Sequence, residues 1–140
     1  MFDAEAASFV CDFIEYLTCS NGAPFRLMDW QRDAVTEFYG QMIEAEGDEA
    51  DPAGSYIRRY QYLYLEIAKK NGKSELAAAL GVYHLYADGE VNGEVYVVAA
   101  DRDNAGIVYS AAKWMVEHSP ALMKRSRIVD STKTIYDKVS

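Results

Sequence analysis

Gly72-Lys73-Ser74 brings together a residue without a side chain, a cation and a hydroxyl in three consecutive positions. An apolar run, Tyr62-Leu63-Tyr64-Leu65, precedes it, then Glu66-Ile67-Ala68-Lys69-Lys70-Asn71. A helix-forming run, Glu75-Leu76-Ala77-Ala78-Ala79-Leu80, follows it. Strand, short loop, Gly-Lys-Ser and helix is the layout of a loop that wraps phosphates. Its backbone N–H groups turn inward, and the helix behind them offers free N–H groups and a positive dipole end. Gly72 allows close approach, Lys73 reaches the phosphates, and Ser74 supplies a hydroxyl for Mg²⁺. The ligand that suits this set is a nucleoside triphosphate, ATP or GTP. The pattern is irregular, because Ile67 stands where the full motif has its first glycine. The plain alternative is a surface turn whose lysines are merely solvated.

The elements around the triplet follow from periodicity. Residues 3–18 predict an amphipathic helix, with Phe9, Val10, Phe13, Ile14 and Leu17 at helical spacing. Ser20-Asn21-Gly22-Ala23-Pro24 breaks it. Asp29 is placed to cap a second helix on which Trp30, Ala34, Phe38 and Met42 recur every four residues. Residues 44–55 read as an acidic loop. Tyr60 to Ile67 and Val95 to Ala100 are too apolar for half-exposed strands and suit central strands buried on both faces. Helices are expected over about 73–87, with Leu76, Leu80, Tyr83 and Ala87 on one face, and over about 102–118, capped by Asp101 and ended before Pro120. Two short strands around a turn are expected over 127–136. This alternation contains βαβ units and predicts a layered α/β fold with a mostly parallel sheet.

The 140 residues suit one domain with a real core. No run of about twenty apolar residues occurs, and the acidic N-terminus argues against a secretory signal. Two cysteines, Cys11 and Cys19, without a CxxC motif point to a reducing compartment and no structural zinc. The net charge of −8 is uneven: residues 1–55 carry 12 acidic and 2 basic side chains, residues 56–140 carry 10 and 12. The acidic half is a poor surface for nucleic acid, since phosphate contacts dominate that affinity.

Ala68-Lys69-Lys70-Asn71-Gly72-Lys73-Ser74 resembles the deviant Walker A motif of tailed-phage terminase large subunits, the ATP-driven motors that push DNA into a prohead. Three more segments are similar in the same order. They are Phe25-Arg26-Leu27-Met28-Asp29-Trp30-Gln31, Val97-Val98-Ala99-Ala100-Asp101-Arg102-Asp103-Asn104-Ala105 and Lys113-Trp114-Met115-Val116. The resemblance spans about residues 24–140. It implies a RecA-like three-layer α/β/α ATPase domain, incomplete here, with residues 1–55 as an acidic helical segment and 56–140 as the phosphate-loop core. It also implies ATP and Mg²⁺ as cofactors. By position, Gln31 would read adenine, its amide matching the donor and acceptor of the base edge. Lys69, Lys70, Asn71, Gly72, Lys73 and Ser74 would cradle the phosphates, with Ser74 on Mg²⁺. Lys69 departs from the family, which often has an arginine there; a lysine cannot make the bidentate fork. The partners implied are double-stranded DNA, the terminase small subunit, the portal and further copies of the chain, in the host cytoplasm and without a membrane.

The resemblance places the Asp-Glu pair that holds Mg²⁺ and activates water, and the nuclease carboxylates, beyond residue 140. The expectation is therefore an N-terminal part that grips nucleotide and hydrolyses little. Asp101 as that aspartate is the weaker reading, because no Glu follows it. His84 and His118 have no cysteine or acidic partner at metal or triad spacing and read as packing or surface residues. The alternating Tyr60, Tyr62 and Tyr64 read as a packed sheet face. Arg58-Arg59 and Lys124-Arg125-Ser126-Arg127 read as solvated basic turns, with contact to DNA phosphates as the sharper alternative. Two rivals remain at this level. One is a fragment of a superfamily-2 helicase or translocase. The other is a non-catalytic domain with a fortuitous Gly-Lys-Ser.

Overall fold

The computed structural model describes residues 1–19, 21–46, 56–66, 73–89, 92–99 and 102–139. The chain divides into two units, Met1–Phe13 with Leu27–Glu66, and Ile14–Arg26 with Ile67–Ser140.

The first unit holds helix α1 (Ala4–Tyr16) through Phe13, helix α2 (Asp29–Gly40) and a hairpin of strands β1 (Met42–Glu44) and β2 (Tyr56–Arg58). Asp3 begins α1, its Oδ1 accepting the Ala6 N–H at 3.0 Å. A side-chain acceptor at this position satisfies one of the orphan donors of the first turn. The buried stripe of α1 within this unit is Ala7, Val10 and Cys11; Phe9 is exposed. On α2 the buried positions are Gln31, Val35 and Tyr39, one residue along from the stripe expected on Trp30, Ala34 and Phe38. Met28, not Asp29, precedes the first helical residue. Gln31 does the capping from inside the first turn, its Oε1 accepting the Met28 N–H at 2.9 Å. Strands β1 and β2 pair antiparallel, with Ile43 opposite Ile57. Gly40 leaves room for the Phe2 ring, which occupies the space any β-carbon there would need.

The second unit holds the end of α1, helix α3 (Lys73–Tyr86), helix α4 (Arg102–Glu117), the short α5 (Pro120–Met123) and strands β3 (Ser126–Val129) and β4 (Thr134–Asp137). Gly22, at φ +84°, turns the chain after α1, and the Phe25 N–H returns to the Leu17 carbonyl at 2.9 Å. Helices α3 and α4 pack on each other. Their buried residues include Leu76, Ala79 and Val82 on one, and Ala111, Met115 and Val116 on the other. Leu76→Ala is expected to cost about 3 kcal/mol, the usual loss for emptying a fully buried leucine site. Urea unfolding followed by circular dichroism measures it. Pro120 opens α5, where its missing N–H is no loss. Strands β3 and β4 pair antiparallel around a 3₁₀ turn, Asp130–Thr132, as the tail sequence predicts.

Two expected strands are unpaired among the described residues. Tyr60–Glu66 and Val95–Ala99 carry no strand pairing, and Tyr62, Tyr64 and Val98 are 90%, 85% and 91% exposed. Tyr60, Tyr62 and Tyr64 therefore form no packed sheet face. The physical reason is that a strand buried on both faces exists only between partner strands. Both ladders among the described residues are antiparallel hairpins.

Candidate functional site

The first turn of α3 starts at Lys73 and Ser74. A helix of 14 residues beginning there directs the unsatisfied N–H groups of its first turn at whatever faces Lys73 and Ser74. Lys73 is exposed and Ser74 half-buried. Lys69, Lys70, Asn71 and Gly72 lie outside the described residues, as does Asp101.

A cleft of about 590 Å³ adjoins this helix start. Ser74 and Glu75 line it from α3, Asp103, Ser110 and Trp114 from α4, and Lys133 from the turn between β3 and β4. That volume lies within the usual range for small-ligand sites. The indole Nε1–H of Trp114 is buried and has no acceptor among the described residues. The ring itself stacks on His118, centroids 3.7 Å apart, and His118 Nδ1 donates to the Trp114 carbonyl at 2.9 Å. The donor character of the cleft (an ammonium, an indole N–H, two hydroxyls and a helix start) suits an oxygen-rich anion. Its two carboxylates suit an anion that brings a cation. The residues present therefore fit a magnesium nucleotide.

The turn carrying Lys133 is fastened to α4. Asp130 Oδ1 lies 2.8 Å from Lys113 Nζ and accepts the Tyr109 hydroxyl at 3.1 Å. The Lys113 contact, then the Tyr109 hydrogen bond, hold the Asp130 carboxyl below its ordinary pKa; the same contact raises that of Lys113. Partial burial, and then the Asp130 hydrogen bond, raise that of Tyr109. A carboxyl with a depressed folded-state pKa stabilises above its unfolded pKa and loses that contribution as pH falls through the folded one. The melting difference between the chain and its Asp130→Asn variant is thus expected to be small at neutral pH and to vanish below the ordinary carboxylate range.

Gln31 belongs to the first unit and is 2% exposed. Its Oε1 is engaged by the Met28 N–H, and Trp30 beside it is half-buried. His84 has an acidic neighbour after all, since Asp88 Oδ2 lies 3.1 Å from its Nδ1 one helical turn on. The missed signal was the i, i+4 spacing. No group of three or more His, Cys, Asp or Glu among the described residues could hold a metal. The basic stretch 124–127 divides: Arg125 is committed to Asp137, the Arg127 guanidinium lies 5.4 Å from the Tyr136 ring centre, and Lys124 is exposed. Arg58 and Arg59 lie over Tyr39 and Tyr60. No described helix is long and apolar enough to cross a membrane.

A helix opened by Lys-Ser, a second helix packed on it and a ligand-sized cleft at their side are features of a nucleotide-binding α/β domain. Comparison with known proteins agrees with that class. The model of the terminase large subunit ATPase domain matches residues 51–140. The large terminase subunit of Enterobacteria phage HK97 is 31% identical over 115 residues, covering 81% of this chain and 20% of that protein. The crystal structure of the HK97 large terminase superposes with a TM-score of 0.73 at 30% identity, covering 98% of this chain and 25% of that one. The chain belongs to the terminase large subunit ATPase-domain family. It spans about a fifth to a quarter of the length of these relatives.

Proposed function

We propose that this chain is the nucleotide-gripping part of a phage DNA-packaging motor, which in its intact form couples ATP hydrolysis to translocation of double-stranded DNA. The observation that carries the reading is the start of α3 at Lys73-Ser74 beside the cleft, in a chain of this family. Lys73 would hold the β- and γ-phosphates as a point charge, Ser74 would orient its hydroxyl toward Mg²⁺, and the helix start would add N–H donors. Mg²⁺, when bound, would neutralise phosphate charge. Lys69, Lys70, Asn71 and Gly72 would form the loop around the phosphates. Gln31, whose Oε1 caps α2, would read adenine through its Nε2. Tyr60–Glu66 and Val95–Ala99 would be strands of a RecA-like parallel sheet, paired once neighbouring strands are present. The work of such a motor lies in the cytoplasm of the host, with a small subunit, a portal and further copies of this chain as partners. The helicase rival loses ground to the family match.

Calorimetric titration with ATP, with and without Mg²⁺, tests the reading. Mg²⁺ should tighten ATP binding by the unaltered chain, and Ser74→Ala should remove about tenfold of that gain, the worth of one charge-assisted contact. An unaltered chain indifferent to ATP, or a Ser74→Ala variant with the full gain, would refute it.

A further inference from the structure

The roles given to Lys73 and Ser74 leave unexplained a cation that lines the cleft beside the α3 start. Lys133 lines the cleft with Ser74 but comes from the turn between β3 and β4. Its backbone is left-handed, φ +49°, a conformation that costs a lysine about 1 kcal/mol and that Asn or Gly would adopt more cheaply. The residue is held there by its own N–H, which donates to the Asp130 carbonyl at 3.1 Å, and by the anchoring of Asp130 to Lys113 and Tyr109. Its Nζ lies 3.0 Å from where a β-carbon on Gly106 would stand. The side chain thus lies across α4 at a residue with none of its own. Among the described residues Lys133 forms no ion pair, although Glu75 and Asp103 line the same cleft. Trp114 adds a buried N–H that lacks an acceptor among those residues.

An ammonium set on a strained backbone, laid over a glycine and without a carboxylate partner among the described residues, matches the demand of an incoming phosphate. We propose that Lys133 is a second phosphate-contacting cation of the cleft, acting beside Lys73 on the phosphate chain of a magnesium-bound nucleoside triphosphate. The inference rests on the reading of Lys73 and Ser74 given above. Gly106 is the positioning residue, because a β-carbon there would push Nζ aside at little cost to the fold, the displaced atom being the end of a flexible side chain.

The test is calorimetric titration with ATP and Mg²⁺ of the 140-residue chain and four variants, each with a thermal melt. Lys133→Asn keeps a residue tolerant of the left-handed backbone and should weaken binding by about tenfold, one charge-assisted contact. Lys133→Arg, which keeps the charge, should stay within about threefold of the unaltered chain, and Gly106→Ala should fall between the two. Lys73→Ala should weaken binding most. Lys133→Asn binding within about twofold of the unaltered chain, while Lys73→Ala is impaired, overturns the role of Lys133 and leaves the phosphate loop standing. A Lys73→Ala variant that binds normally overturns the loop reading, and Lys133 with it. Should Lys133→Asn lower the melting temperature, Gly106→Ala decides, and unchanged ATP affinity there overturns the proposal.

Discussion

Lys73→Ala is expected to weaken ATP binding by about a hundredfold. Charge-assisted hydrogen bonds contribute about 1.5–3 kcal/mol each, and a lysine bridging two phosphates makes at least two contacts of this kind. Allowing for imperfect geometry and competing water, a loss of about 3 kcal/mol follows, or two powers of ten in the dissociation constant. The fold should hardly notice. Lys73 is exposed at the first position of α3, and alanine is at least as good a helix former there. Affinity and melting temperature therefore separate the two effects, with calorimetry showing the loss and circular dichroism an unchanged melt. Lys73→Arg sharpens the result. The planar fork cannot replace a compact ammonium between two phosphates, so most of the loss should persist although the charge remains. Near-native affinity in Lys73→Ala would assign Gly72-Lys73-Ser74 to the surface turn that the sequence alone also allows.

The helical part of this molecule was legible because helices are local. The boundaries expected for α1, α3 and α4 fall within one or two residues of those found, and the tail hairpin lies where two β-branched stretches flank Asp130-Ser131-Thr132-Lys133. Which face of a helix is buried was read less well. On α1 the expected Val10, Ile14 and Leu17 are buried but Phe9 is exposed, and on α2 the buried stripe runs through Gln31 in place of Trp30. Size marks a residue as apolar without saying which side its neighbours occupy, and Gln31 enters the interior because its amide caps the helix it sits on. The strands at Tyr60 and Val95 were read from hydrophobicity alone, which reports a demand for partners and not their presence. At the site, Lys73 and Ser74 were visible as a motif. Lys133 and Gly106 were not, and Trp114 stood out only as part of a helix segment, since all three meet the α3 start through the packing of α4 and the hairpin turn on it. Positive φ at a lysine leaves no trace in the sequence.

Asp137→Ala should be the most damaging single change outside the helical core, costing about 3 kcal/mol. The Arg125 guanidinium donates to both carboxylate oxygens, Nε to Oδ1 at 2.7 Å and Nη2 to Oδ2 at 2.6 Å. The Asp137 side chain is only 1% exposed, against 30% for Arg125. Removing the carboxylate leaves a guanidinium pinned over the Tyr86 ring, 5.5 Å from its centre, with its designated acceptor gone. Breaking a buried pair from one side costs about 3–5 kcal/mol, and the partial exposure of Arg125 moves this case to the lower end. For a domain of this size the melting temperature should fall by about 10 °C. The pair also closes the open end of the β3–β4 hairpin, where the Lys138 N–H meets the Arg125 carbonyl at 2.7 Å. It ties that end to α3, because the Tyr86 hydroxyl hydrogen-bonds Ser126, whose Oγ in turn contacts the Leu122 carbonyl at 2.6 Å. Arg125→Met combined with Asp137→Leu removes both charges and fills the space, so it should recover most of the loss. The cycle closed by Arg125→Met and Asp137→Leu made singly then gives the coupling between the groups, expected at about 2 kcal/mol in favour of the pair. A coupling near zero would mean that the hairpin is held by its strand ladder alone. Lys133 would then owe its position to Asp130 and the turn, with no help from the pair at the far end.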